Sequence, residues 1–165
     1  MDKYYYFVSQ LPTLFFGKET DMDIKRFLAE AQKWVTETDY GMLLSVSQTK
    51  HSEIKIRNRA LKQFDDFESQ LRSDIGRWRD ALRRDLDYKP TCFPVSMLKE
   101  EDPLAVEIRL MEKQWTFIDE MEREHHFDIG FLILYFLKLQ ILNRYFTFNK
   151  EAGLEKFQKL YSITS

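Results

Sequence analysis

Residues 127–146 read FDIGFLILYFLKLQILNRYF, and this stretch decides the fold because it is apolar on nearly every side. The run from Ile129 to Leu137 holds no charged side chain, and Lys138 is the first to interrupt it. An α-helix that is apolar all round lies either in the middle of a bundle or in a membrane. The uninterrupted run is about nine residues long, whereas a membrane span needs about twenty. The stretch therefore predicts the central helix of a bundle.

A second long helix is predicted upstream, over residues 52–87. Apolar side chains recur there every three or four residues, which is the spacing of one helix face. They are Leu61, Phe64, Phe67, Leu71, Ile75, Trp78, Leu82 and Leu86. At 1.5 Å per residue this helix would be about 50 Å long. So long an apolar face needs another long helix to cover it.

The prolines of YKPTCFP mark the clearest break in the chain. Pro90 and Pro94 forbid a continuous helix there, and we predict a loop that joins two long antiparallel helices. The second of these begins at Asp102-Pro103, where a capping side chain is followed by proline at the first helical position. Its apolar stripe runs to about residue 125.

Shorter helices complete the prediction. They are expected over residues 22–35, 40–47 and 154–161, with breaks at 36–39 and 149–153. Thr20 or Asp21 would cap the first of them, and its apolar face would include Trp34 or Val35. The segments together predict an all-α bundle of about five or six helices, forming a single domain over residues 1–165 with two long antiparallel helices.

Residues 1–19, which include YYYFVSQLPTLFFG, are predicted to form an extended or short helical arm. Pro12 prevents a helix from running through Leu11-Pro12. Large aromatic side chains usually pack in a core, so we expect this arm to seal one end of the bundle. Part of its surface is expected to serve a neighbouring protein. The candidate interface residues are Tyr4, Tyr5, Tyr6, Phe15 and Phe16.

Charge is unevenly distributed along a chain whose net charge is −2 at pH 7. Residues 50–89 hold 11 basic and 8 acidic side chains, whereas residues 99–128 hold 4 basic and 10 acidic ones. Opposite local excesses suit two neighbouring helices, and they suit an external partner equally well. The overall balance argues against general nucleic-acid binding.

The densest basic cluster is GRWRDALRR, residues 76–84. It supplies a second set of candidate interface residues, Arg77, Arg79, Arg83 and Arg84. Guanidinium groups in this density suit an acidic protein surface or a phosphate, and a nucleic-acid-binding helical module is the alternative function. A solvated helix face explains the cluster as well, with pairs at i, i+4 between Asp80 and Arg84 and between Arg83 and Asp87.

No pattern predicts catalysis, a cofactor or a metal. Glu122 and His125 have the i, i+3 spacing of di-iron bundles, but the second such pair is missing, since Gln48 precedes His51 where a glutamate is needed. Cys92 is the single cysteine, carries no signature of a nucleophile, and fits a reducing cytosolic compartment. Glycine-rich phosphate loops and GxSxG are absent. We therefore expect a protein that is not an enzyme and has no small-molecule substrate.

Three segments, taken in order, resemble a small bacterial family of unknown function that is encoded among V-type ATPase subunits. They are the aromatic-rich residues 4–17, QFDDFESQLRSDIGRWR at 63–79, and residues 103–160 with HHF, YFLKLQILNRY and Gly153. DIKRFLAEAQKWVTETDYGMLL, residues 23–44, is similar to the short paired helices of the C-type (d-type) subunit.

The resemblance implies a non-catalytic accessory or central-stalk (C-type-like) subunit of a V-type proton- or sodium-translocating ATPase. Such a subunit is a protein–protein scaffold whose partners are other subunits of the ATPase. It would meet the membrane only through the complex, in the cytoplasm or at the periphery of the inner membrane. The tyrosine-rich arm and the face from Arg77 to Arg84 would be its contact surfaces.

Overall fold

The computed structural model describes residues 4–46, 58–98 and 103–164, except for the side chains of residues 97, 98, 103 and 152–164. These ranges contain helices and no strand. The helices are α1 (Tyr5–Gln10), α2 (Ile24–Trp34), α3 (Glu37–Val46), α4 (Arg59–Arg83), α5 (Val95–Leu98), α6 (Pro103–Glu122) and α7 (Ile129–Thr164). Besides the one-turn α5, this part of the chain holds six helices, so the predicted all-α bundle is confirmed.

The central helix is α7, as its composition predicts. Every side chain from residue 132 to residue 139 is at most 5% exposed. Helices α2, α3, α4 and α6 all contact α7. An unbroken run of buried side chains requires neighbours on all sides of a helix, and these four helices supply them.

The long helices α4 and α6 pack side by side in opposite directions. The rings of Phe67 and Phe117 stack with their centroids 4.2 Å apart. Further along α4, Ile75 shares a small core cluster with Val106, which lies near the beginning of α6. Later residues of α4 thus meet earlier residues of α6, as the predicted antiparallel pair requires.

A tight turn reverses the chain between α6 and α7. Asp128 begins α7 by accepting a hydrogen bond from the backbone N–H of Phe131 at 2.8 Å, which satisfies one of the free donors at a helix start. Beyond the turn the helices run antiparallel, because Lys138 binds Glu122 at the end of α6. The long helices are therefore three rather than two, and α7 is the longest.

Helix α4 begins at Arg59, because Asn58 has an extended backbone with φ −135° and ψ 122°, so the predicted helix over 52–87 is not continuous through residue 58. The predicted start at Ser52 and the predicted Asp102 cap of α6 lie outside the described residues. Within them, Asn58 caps α4 by accepting the backbone N–H of Leu61 at 3.1 Å. The side-chain oxygen of Asn58 thus accepts from a backbone N–H that has no partner within the helix.

A Schellman motif ends α4 at Arg83. The backbone N–H of Leu86 donates to the carbonyl of Ala81 at 2.8 Å, and that of Asp85 donates to Leu82 at 3.3 Å. Asp85 has a φ of 54°, a left-handed conformation that favours glycine. The helix therefore ends before residue 87, where the sequence predicted its end.

Buried Asp74 ties the loop after α4 back to that helix. Its carboxylate accepts hydrogen bonds from the Tyr88 hydroxyl and from the backbone N–H groups of Thr91 and Cys92. Burial alone would raise the pKa of Asp74, but these hydrogen bonds and the nearby charge of Arg77 bring it below its ordinary value. A charged carboxylate therefore anchors the loop that the two prolines predicted.

The N-terminal arm contains α1 and packs on the bundle. The backbone N–H of Tyr4 donates to the carbonyl of Phe127 at 2.9 Å, and the Tyr135 hydroxyl donates to the carbonyl of Pro12 at 2.7 Å. Phe7 is 2% exposed and belongs to the main core cluster. Aromatic packing and two backbone contacts thus hold the arm against the turn before α7 and against α7 itself.

The predicted break at residues 149–153 and the separate helix at 154–161 are wrong, because α7 runs without interruption to Thr164. That stretch has no proline, and only proline both removes a backbone donor and clashes with the preceding turn. Gly153 lowers helix stability by only about 1 kcal/mol. A long helix remains stable despite a cost of this size.

The predicted boundaries near α2 and α3 are also wrong by a few residues. Asp23, rather than Thr20 or Asp21, caps α2 by accepting the backbone N–H of residue 26 at 2.7 Å. Thr36 accepts the backbone N–H of Asp39 at 3.2 Å and so starts α3 where a break was predicted. Both misplacements arise because several residues that can cap a helix lie close together.

Candidate interaction surfaces

Two exposed aromatic side chains, Tyr6 and Trp34, meet at the end of α2, and Tyr5 is exposed next to Tyr6 in α1; we call these three residues the aromatic patch. Tyr5 and Tyr6 are each 59% exposed, and Trp34 is 44% exposed. The rings of Tyr6 and Trp34 have centroids 5.0 Å apart, and the ring of Tyr5 lies 4.7 Å from that of Phe127. Ring contacts of this kind orient aromatic side chains. The patch therefore presents ordered aromatic surface to solvent.

The sequence did not identify Trp34 as an interface residue. Its spacing placed Trp34 or Val35 on the apolar face of α2, where Phe27 and Ala31 are indeed fully buried. Helix α2 ends at Trp34, and the indole there rests against Tyr6 rather than in the core. To predict that Trp34 is exposed, one would need to know where α1 lies, and the spacing of apolar residues along α2 does not give that position.

The other predicted aromatic interface residues lie in different surroundings. Tyr4 is 5% exposed and its hydroxyl donates to Asp39, so it belongs to the core. Phe16 is half-buried between the rings of Trp115 and Tyr145. Phe15 is 56% exposed. Of the five aromatic candidates, only Tyr5, Tyr6 and Phe15 offer much free surface.

The four arginines of the basic cluster are all exposed, but they do not form one face. At about 100° per residue, Arg77 and Arg84 lie on one side of α4, while Arg79 and Arg83 lie about 100° or more away around the helix. A flat partner could contact one pair at a time. The cluster is therefore two smaller basic surfaces rather than a single one.

The ion pairs expected around these arginines form in part. Arg84 Nε lies 3.4 Å from Asp80 Oδ2, as predicted. Within the described residues Arg83 and Asp87 form no such pair, because α4 ends at Arg83 and the i, i+4 spacing no longer brings the two together. An exposed pair of the Asp80–Arg84 kind contributes about 0.5 kcal/mol.

Leu82 and Leu86, which the sequence placed on the buried seam of α4, are 59% and 61% exposed. The prediction is wrong for these two residues because α6 is too short to cover them. Ile75 already lies beside Val106, near the first residue of α6. The end of α4 therefore extends past its partner helix and exposes two leucines near the arginines.

A buried ammonium group, which the sequence analysis missed, joins α6 to α7. Lys138 is 5% exposed, and its Nζ donates to the carboxylates of Asp119 and Glu122, the latter at 2.9 Å. The ring of Trp115 lies 5.0 Å from the same nitrogen. Burial raises the pKa of Glu122, an effect that Lys138 partly offsets. We call these residues the Lys138 cluster.

The geometry also shows what became of the residues considered for a metal site. Glu122 is bound to Lys138, and His125 Nδ1 lies 3.2 Å from Asp128 Oδ2. His51 and Gln48 lie outside the described residues. In the part of the chain that the structure describes, no group of three or more His, Cys, Asp or Glu side chains could hold a metal ion.

One helical segment among the described residues, Ile129–Glu151, is long and apolar enough to cross a membrane by length and composition. However, 61% of the 18-residue stretch that makes this segment apolar enough is buried inside the bundle. The core helix of a globular protein passes the same test, so the segment is weak evidence for a membrane span.

Comparison with known proteins gives one partial match. Residues 90–163 match a family described as "Protein of unknown function (DUF2764)", a range that begins in the loop after α4 and covers α5, α6 and nearly all of α7. The aromatic patch and the arginine cluster lie outside it. No curated protein and no solved structure matches the chain. The comparisons therefore identify a domain of an unknown-function family over residues 90–163, and nothing in them links the chain to V-type ATPase subunits.

Proposed function

We propose that this protein is a non-catalytic scaffold that binds another protein through the aromatic patch, as an accessory or central-stalk subunit of a V-type ATPase. The observation that carries the binding proposal is the exposure of Tyr5, Tyr6 and Trp34 on ordered helices. Tyrosine and tryptophan are enriched at the energetic centres of protein interfaces. Their rings also lose little conformational freedom on binding.

The identity of the partner rests on the resemblance of three segments to a family encoded among V-type ATPase subunits. The family match over residues 90–163 overlaps the third of these segments and names no activity. A subunit that couples other subunits has to be rigid, and a bundle in which four helices surround α7 suits this requirement. Such a subunit would work in the cytoplasm and touch the membrane only through the complex.

A binding measurement tests the proposal at the patch. We expect the purified chain to bind the V-type ATPase of its source organism, and the double variant Tyr6→Ala/Trp34→Ala to bind about 30-fold more weakly, since interface aromatics of this kind contribute about 2 kcal/mol or more. Gln32→Ala, on an exposed position of α2, is the matched control and should bind normally. Equal binding by both variants would remove the patch from the interface.

The exposed arginines favour one alternative, a helical nucleic-acid-binding module. Binding of that kind would weaken steeply as salt is added, because each neutralised phosphate releases counterions. The division of the arginines between two sides of α4 gives fewer simultaneous phosphate contacts than a single stripe would give. Tight, salt-sensitive binding to duplex DNA or RNA would nonetheless favour this alternative over the scaffold.

A further inference from the structure

A cavity of about 270 Å³ lies where α4, α6 and α7 meet, away from the aromatic patch. Its floor is apolar and consists of Leu71, Ile75, Leu110 and Met111. Leu71 and Met111 are only 2% and 1% exposed, so the floor belongs to the packed interior. Ligand sites in proteins usually enclose about 300–1,000 Å³. At about 270 Å³ the cavity lies just below this range, so it would hold only a small ligand.

Arginine side chains dominate the rim of this cavity. Arg72 and Arg79 come from α4 and Arg144 comes from α7, whereas Glu107 is the one carboxylate among the lining residues. Arg144 Nη2 is 3.9 Å from Glu107 Oε2, which is too long for a hydrogen bond. Arg79 forms no ion pair with any residue that the structure describes. Arg72 is already paired with Glu68 at 2.6 Å, so the unpaired positive charge at the rim is that of Arg79.

A largely buried amide in the wall of the cavity adds a polar group that a ligand can contact. Gln114 is only 6% exposed and lines the cavity. Its side chain makes no hydrogen bond to any part of the chain that is described. The amide is not sealed from solvent, so water in the cavity reaches it. A polar group in the cavity would satisfy it.

We propose that this cavity binds a small organic anion with an apolar body. Arg79 and Arg144 would bind its carboxylate or phosphate group, because guanidinium groups form charge-assisted hydrogen bonds with both. The apolar body would lie on Leu110, the half-buried member of the floor, and the Gln114 amide would bind a polar atom of the ligand. The site is separate from the proposed ATPase interface and does not depend on it.

Calorimetric titration of the full chain tests the site with three probes. Phenyl phosphate carries both an anionic group and an apolar ring, inorganic phosphate lacks the ring, and benzyl alcohol lacks the charge. We expect phenyl phosphate to bind with a dissociation constant of about 1 mM or lower, and each of the other two to bind at least about tenfold more weakly. Phenylacetate then shows whether a carboxylate is accepted in place of phosphate, and the tighter of the two anions defines the ligand class.

Variants assign the binding to the cavity. Arg79→Gln and Arg144→Gln should each weaken binding of phenyl phosphate at least about tenfold, because each removes a charge-assisted hydrogen bond. Both side chains are exposed at the rim, so folding should be retained, and circular dichroism verifies it. Arg84→Gln is the control, since Arg84 pairs with Asp80 outside the cavity. No saturable binding by about 10 mM, an equal loss in the control, or equal affinity for inorganic phosphate would overturn the proposal.

Discussion

The Lys138 cluster allows a quantitative test of how α6 is held to α7. Replacing Lys138 with methionine keeps a long apolar stem in the core and removes only the charge. Asp119 and Glu122 then lose the ammonium group that both of them accept from, and the ring of Trp115 loses its cation. The variant therefore leaves two carboxylates at a helix contact without a counter-charge.

The expected loss of stability follows from the exposure of the two carboxylates. Removing one partner of a fully buried ion pair costs about 3–5 kcal/mol, whereas an exposed pair contributes about 1 kcal/mol or less. The side chain of Glu122 is 20% exposed and that of Asp119 is 50% exposed, so the cluster lies between these limits. We expect Lys138→Met to lower the free energy of unfolding by about 2 kcal/mol at pH 7. The melting temperature should fall by about 4–8 °C.

The loss should also depend on pH in a definite direction. Burial already raises the pKa of Glu122, and removing Lys138 would raise it further, because Lys138 is the group that lowers it. A group with a raised pKa in the folded state stabilises the protein fully below its unfolded pKa, and that contribution is lost as pH rises through the folded pKa. In the variant, Glu122 therefore stays protonated to a higher pH than in the parent, and it carries no unpaired charge while it is protonated. The difference in free energy of unfolding between parent and variant should be largest at pH 7 and smaller near pH 5.

Urea unfolding at both pH values measures these effects. Lys62→Met, on an exposed position of α4, is the control and should change stability by less than about 0.5 kcal/mol. Adding Glu122→Leu to Lys138→Met should recover part of the lost stability, since replacing both partners by apolar groups removes the unpaired charge. A variant as stable as the parent at pH 7, or one whose deficit is the same at both pH values, would refute this reasoning.

Three further substitutions have expected effects on the free energy of unfolding, measured by urea denaturation. Asp85→Gly should raise it by about 0.5–1 kcal/mol, since a φ of 54° suits glycine; a decrease would count against the Schellman motif. Gly130→Ala should lower it by about 1–3 kcal/mol, because the new Cβ would lie 2.5 Å from His125 Nδ1, and His125→Ala should relieve most of that loss. Asp74→Asn should lower it by about 1–3 kcal/mol at pH 7. The lowered pKa of Asp74 makes its contribution present above the unfolded value of 3.8 and lost as pH falls, so this difference should narrow near pH 3.

The helical class and the central position of α7 could be predicted from the sequence because both depend on local patterning. Apolar spacing of three and four residues identifies a helix face, and the apolar run after Ile129 identifies a helix without a solvent side. The break at Pro90 and Pro94 follows from the chemistry of proline alone. These are properties that the neighbours in space do not alter.

The errors arise where packing between distant segments decides the outcome. Leu82 and Leu86 have the same spacing as the buried seam, but α6 begins too late in the chain to cover them. Tyr4 becomes a core residue only because Phe127 and Asp39 are brought to it. Spacing within one helix contains no information about the length of its partner or about what a loop brings near.

The candidate sites were predicted in part for the same reason. Composition drew attention to the tyrosines and to the arginines, but helix geometry divides the arginines and adds Trp34 to the tyrosines. The cavity at Gln114 combines side chains from three helices that are far apart in sequence. No local pattern could have identified it.

Quantification of this chain in V-type ATPase purified from its source organism, through an affinity tag on an established subunit, tests the proposed role most directly. We expect a fixed ratio of this chain to the other subunits, and a marked loss of it when the chain carries Tyr6→Ala/Trp34→Ala. Absence of the parent chain from the purified complex, with ion pumping unchanged when its gene is deleted, would contradict the proposed role.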